Sequence, residues 1–174
     1  MIMGQTINTE NFMDARFDAF SRFGSRWGIV VAGNMDDFNC MTLGWGMFGN
    51  VWSHTKPSIA VFVQPSRYTF EYMDKNEYFT VCFLPESHRK DAEILGTVSG
   101  RDCDKISLTN LSPKALSHGV GFEEAELTFV CRKVSSQQFD LKNTPPEMQR
   151  GMYSKLEPHY MYIGYVEEAF GEID

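Results

Sequence analysis

The stretch Ser58-Ile-Ala-Val-Phe-Val-Gln-Pro-Ser-Arg-Tyr-Thr-Phe-Glu-Tyr-Met-Asp-Lys75 decides how this chain reads. Its first half is an apolar, β-branched run, the cleanest buried strand in the sequence. Pro65 breaks that strand, and the residues from Pro65 to Lys75 predict a short helix with Ser66 near its cap. A strand that passes straight into a helix start brings together free amide N–H groups, the Ser66 and Thr69 hydroxyls and the Arg67 guanidinium. That is the donor set a phosphate monoester needs. Taken alone, a capped helix with a solvated arginine is the simpler reading of the same residues.

Outward from this stretch, Tyr78-Phe-Thr-Val-Cys-Phe-Leu84 predicts a second buried strand. Ile29-Val-Val-Ala32 predicts another, ended by the turn-like Gly33-Asn-Met-Asp-Asp37. Asn39 to Phe48 alternates loosely, has three glycines nearby and predicts one strand whose backbone comes close to something. Further strands are expected from Leu127 toward Phe139 and from Tyr160 to Phe170. A helix at about 12–23 would place Phe17, Phe20 and Phe23 on one side. Ser87 is expected to cap a helix that stops at Gly96, and Thr144-Pro-Pro-Glu147 to open one reaching about Tyr153. Six or seven strands with short interposed helices predict a mainly β fold with peripheral helices. Its architecture would be an antiparallel, Greek-key-like split or closed barrel. One domain spanning 1–174 is expected, with the N-terminal helix and the C-terminal tail peripheral.

Composition narrows the function. The 14 Phe, 7 Tyr and 3 Trp make an aromatic load suited to a β-rich core or to a pocket for a flat ligand. A net charge of −7 removes the global basic field that would grip nucleic acid. No segment approaches the roughly 20 apolar residues of a membrane span, and Met1-Ile-Met-Gly-Gln-Thr6 is not a secretory signal, so a cytoplasmic location is expected. Cys40, Cys82, Cys103 and Cys131 lie far apart and read as reduced, mostly buried small hydrophobes. No pair among His54, His88, His118 and His159 has metal-ligand spacing, and no G-x-S-x-G marks a nucleophile.

Three motifs need weighing. Gly44-Trp-Gly-Met-Phe-Gly49 spells a dinucleotide fingerprint, but it runs on into a strand and not a helix, so no dipole is available for a pyrophosphate. Trp45 is better explained by a strand with bare backbone on one side and a large ring on the other. Ser99-Gly-Arg-Asp-Cys-Asp-Lys-Ile106 reads as a solvated loop closed by an Arg101–Asp104 or Asp102–Lys105 pair, or as the carrier of a second anion donor, Lys105. His159 either faces a pocket or is structural.

In their order and spacing, Asn39-Cys-Met-Thr-Leu-Gly-Trp-Gly46, Pro57 through Thr69, Tyr78 through Leu84, Ser99 through Ile106 and His159-Tyr-Met-Tyr-Ile-Gly-Tyr-Val166 resemble the flavin reductase-like family of FMN-binding split barrels, in particular its flavoredoxin-like branch. The resemblance covers about Trp27 to Val166. It implies a homodimer with FMN near the subunit interface, and electrons drawn from NAD(P)H or a partner and passed to flavin or another small acceptor. It also implies site residues. Asn39, Met41 and Thr42 would border the flavin and its ribityl chain, and Trp45 and Gly46 would lie against the ring. Ser66, Arg67 and Thr69 would take the phosphate, Lys105 would approach the polar edge, and His159 the pocket mouth. Cys82 stands where many relatives carry asparagine, and the His54-Thr-Lys56 stretch is expected to alter how a nicotinamide reaches the ring. The alternatives are a flavoredoxin-like carrier without nicotinamide turnover and a ligand-binding barrel without redox chemistry.

Overall fold

The computed structural model describes residues 5–173. Along the chain run β1 (Gln5–Ile7), α1 (Ala19–Gly24), β2 (Gly28–Asn34), β3 (Asp37–Leu43), β4 (Gly46–Asn50), β5 (Pro57–Val63), α2 (Tyr68–Lys75) and β6 (Tyr78–Phe83). There follow α3 (Arg89–Thr97), β7 (Pro113–Ala115), β8 (Val120–Phe122), β9 (Leu127–Gln138), α4 (Pro146–Arg150) and β10 (Tyr160–Ile173).

Among the described residues, one eight-stranded sheet runs in the order β3-β2-β6-β9-β10-β5-β4, with β1 added beside β10, and every pairing is antiparallel. The outermost strands of that path, β3 and β4, are consecutive in sequence and joined only by Gly44 and Trp45. So short a link spans at most about 11 Å. The sheet must therefore roll until its two edges meet at that end, which makes a barrel split along the β3/β4 seam. Trp45 sits at the seam. β7 and β8 form a separate ribbon that the sequence reading did not foresee.

The β-branched run of β2 is continuous because both its faces are covered. Val30 and Ala32 point into the barrel with Val61, Val81 and Phe129. Ile29 and Val31 point out, under Ala92 and Leu95 of α3. Two further elements depart from expectation at their caps. Arg67, not Ser66, is the N-cap of α2, and His88 precedes α3 after a 3-10 turn at Glu86–His88. α4 begins after Pro145 and ends at Arg150, well short of Tyr153.

Four larger corrections concern packing. The expected helix at 12–23 is broken into a 3-10 turn, Phe12–Asp14, and α1, because Asp18 restarts the helix by accepting from Phe20 N and Ser21 N. Phe20 is consequently 92% exposed, while Phe17 and Phe23 pack on Phe48. Asn39 to Phe48 is two strands and not one. The C-terminal stretch is not a peripheral tail, since β10 pairs with β9 as far as Gly171 and then with β1. Finally, Arg101 pairs with neither Asp104 nor any near neighbour but with Glu71 on α2. Among the described residues no helix is long and apolar enough to cross a membrane, and no group of metal-ligating side chains is present.

Candidate functional site

β5 delivers the chain to the start of α2. Gln64 is buried, and its carbonyl accepts from Arg67 N at 3.0 Å. Arg67 is extended (φ −78°, ψ 137°) and makes no side-chain cap bond. The N–H groups of the first helical turn are those an α-helix leaves without internal partners. The Arg67 side chain is exposed, and among the described residues its guanidinium has no hydrogen-bond or ion-pair partner. An arginine left free beside open amides is preorganised for an anion.

Around this point the barrel rim and two loops close a shallow cavity of about 100 Å³, lined by Asn39, Met41, Ser66, Arg67, Thr69 and Lys105 among others. A second cavity of about 160 Å³ adjoins it, lined by Met41, Thr42, Trp45, Gln64, Arg67 and His159 among others. Met41 and Arg67 border both. The structure thus brings together every candidate site residue except Gly46: a cationic cradle opening into a slot with an indole on its wall. The buried Thr69 hydroxyl accepts from Asn39 Nδ2 at 2.8 Å and keeps its own proton to donate.

Two of these residues also carry structural hydrogen bonds. Lys105 does line the cradle, but its ammonium donates to the carbonyls of Leu95 (3.1 Å) and Val98 (3.3 Å) at the end of α3. It is therefore a buried anchor at the cavity wall, with one of its three ammonium protons left over. Burial pushes its pKa below the ordinary lysine value, with the nearby Arg67 charge adding to the effect. The Thr42 hydroxyl likewise donates to the Ala92 carbonyl at 2.5 Å, fixing α3 against the slot. Gly46 is the exception to the cluster. A Cβ there would collide with the Phe23 ring, so its bare backbone makes room for α1 and not for the slot.

His159 completes the slot's mouth. Its ring lies 4.6 Å from the Trp45 ring, and Nδ1 is 3.1 Å from the Tyr153 hydroxyl. Burial, and then the Arg67 charge, lower its pKa from the usual histidine value. A neutral imidazole that uses Nδ1 as acceptor for Tyr153 carries its proton on Nε2.

Two contributors were missed in the sequence. Arg101 Nη1 donates to the Ser66 carbonyl at 3.1 Å, Nη2 pairs with Glu71 at 2.5 Å, and the guanidinium lies 4.8 Å from the Tyr68 ring. It stiffens the start of α2, its own charge being balanced by Glu71. Gly100 is the second: a Cβ there would strike the Asn39 amide, so only glycine lets that loop close over Asn39. Neither carries a local signal, because both act across about thirty residues or more. By contrast, Cys82 lines neither cavity. It is fully buried in the cluster under α3, accepting a weak 3.7 Å contact from Thr128. The His54-Thr-Lys56 stretch lies at the other end of the β4–β5 hairpin from Trp45, roughly 13 Å along the strand, so within one chain it does not border the slot.

The sequence matches the family described as flavin reductase like domain over residues 20–170. Among solved structures, the chain is similar to a flavoredoxin from Methanosarcina acetivorans at 25% identity, covering 84% of this chain and 68% of that one with a TM-score of 0.64. It shares its fold with an FMN-binding protein from Thermus thermophilus with bound 1-cyclohex-2-enone (19% identity, 90% and 76% covered, TM-score 0.66). The styrene monooxygenase flavin reductase from Pseudomonas putida S12 is a more distant likeness (17% identity, 82% and 77% covered, TM-score 0.59). No curated protein matches the chain.

Proposed function

The chain belongs to the flavin reductase like domain family, and on that premise we propose that it is an FMN-dependent oxidoreductase that accepts hydride from NAD(P)H. The observation that carries the proposal is the unpartnered Arg67 guanidinium at the start of α2, in a cradle continuous with the slot beside Trp45. FMN is a flat apolar ring with a dianionic tail, and the residues fit both halves. Arg67, Ser66, Thr69 and the first-turn amides of α2 would hold the phosphate. Trp45, Met41 and the β3 backbone would flank the ring. When bound, the flavin supplies two-electron acceptance at its own ring, so the protein's task is position and electrostatics.

Each side chain then has a definite part. Lys105, with two of its three ammonium protons held by carbonyls, would add positive potential and one remaining donor to the cradle, while Arg101, paired with Glu71, would brace it. Thr42 sets the distance between β3 and α3. Tyr153 would hold the His159 ring by Nδ1, leaving Nε2 at the slot's mouth. No acid or base triad is required. The edge strand β4, with exposed Met47, and the exposed Trp52 just beyond it supply apolar surface for a homodimer.

The 25% identity to a flavoredoxin favours a second reading, an electron carrier that does not turn over nicotinamide. One experiment separates the readings. Purified protein is titrated with FMN and then, anaerobically, with NADH and NADPH. Binding followed by bleaching with either nucleotide supports the oxidoreductase. A yellow protein that neither bleaches is the carrier, and a protein that takes no FMN overturns both.

A further inference from the structure

We infer that the large cavity sharing Trp45 with the cofactor slot binds a neutral, flat molecule of one or two rings. The inference goes beyond the proposed function, and the binding stands on the cavity's own residues.

The cavity measures about 470 Å³, roughly three times the slot of about 160 Å³. That volume lies in the range of small-molecule sites. It is roofed by the segment between β9 and β10, which includes α4. Its walls are the thioethers of Met148, Met152 and Met161 and the rings of Trp45, Phe139 and Tyr153. Thioethers and ring faces together favour an aromatic or quinonoid plane.

Charge selects among flat molecules. No lysine, arginine or histidine lines the cavity, whereas Asp140 does. The Asp140 carboxylate already accepts from Lys142 N and Asn143 Nδ2 and offers little to a ligand. An anion, including any phosphorylated one, gains nothing here and is served by the cradle instead. A ring carbonyl or hydroxyl, by contrast, has the exposed Gln137 amide, which has no hydrogen-bond partner among the described residues. Trp45 and Met148 remain 42% and 44% exposed, so the rim is open to an entering molecule. The Tyr153–His159 hydrogen bond joins this wall to the cofactor slot.

The probe is 2-naphthol, neutral at pH 7, titrated calorimetrically into the protein with and without added FMN. Single-site binding is expected, weakened at least about tenfold by Met148→Glu and retained by Met148→Leu, while FMN affinity stays within about twofold. Naphthol binding by protein that refuses FMN would support this site and overturn the proposed function; FMN binding with no naphthol binding up to about 1 mM overturns this site alone. Equal binding by wild type and Met148→Glu also overturns it. So does a dimer that Met148→Glu converts to monomer with no naphthol bound by either, because the face would then be a contact between copies.

Discussion

Asn39 on β3 donates from Nδ2 to the Thr69 hydroxyl on α2 across 2.8 Å, and both side chains are buried. One hydrogen bond thus ties the strand that walls the cradle to the helix that supplies its amides. Replacing Asn39 with alanine leaves the Thr69 hydroxyl without its donor in a buried site, at a cost of about 1–3 kcal/mol. Urea denaturation should show that loss, and FMN affinity should fall with it because the first turn of α2 is no longer held against β3.

Arg67 behaves oppositely. Its guanidinium has no partner in the folded chain, so Arg67→Ala should leave the melting temperature of the ligand-free protein nearly unchanged. FMN affinity should drop at least about tenfold, the scale of a lost charge-assisted phosphate contact. Affinity kept within about twofold would mean that the tail binds elsewhere.

Lys105 tests the difference between a ligand contact and an anchor. Its ammonium satisfies two carbonyls at the end of α3 from a buried position. Lys105→Met should therefore lower fold stability by about 1–3 kcal/mol, read by chemical denaturation. Any change in the flavin midpoint potential should be a smaller, field-like effect.

Gly46→Ala drives a methyl into Phe23, which is hemmed in by Phe48 and Phe83 at ring separations of 5.1 and 5.3 Å. Overpacking of this kind costs about 1–3 kcal/mol. Much of the loss should disappear in a Phe23→Leu background, where room is restored, and the double-mutant cycle measures that coupling. FMN binding by the stable double variant should stay near wild type.

His159 should titrate below 6.5, the ordinary histidine value, in an NMR experiment that follows its ring protons. Burial is the main cause and Arg67 the second, so Arg67→Ala should move the midpoint up without restoring it fully. Because the folded state resists the imidazolium, its contribution to stability is present above about 6.5. That contribution is lost as pH falls through the lower folded-state value.

How far the residues were legible depended on whether they act locally. Arg67 and Thr69 stand out because a broken strand and a helix start place them within one turn. Phe20 was misread because periodicity assumes an unbroken helix, and the Asp18 cap shifts the start so that its ring faces water. Gly46 sits in a motif that suggests a ligand, yet the atom it accommodates belongs to Phe23. Lys105 carries the right charge for an anion, but only the packing of α3 reveals two carbonyls waiting for it.

What the linear chain settled alone was the long buried strands, the abrupt turn at Pro65, and the donors clustered after it, all products of near-neighbour chemistry and of apolar alternation. The tertiary structure decided the rest. Rolling the sheet brings β3 beside α2, places Trp45 at the seam, and carries Arg101, Lys105, Tyr153 and His159 to one rim. Contacts between segments thirty to more than a hundred residues apart leave no periodic trace in a sequence, because their geometry exists only once the sheet has closed.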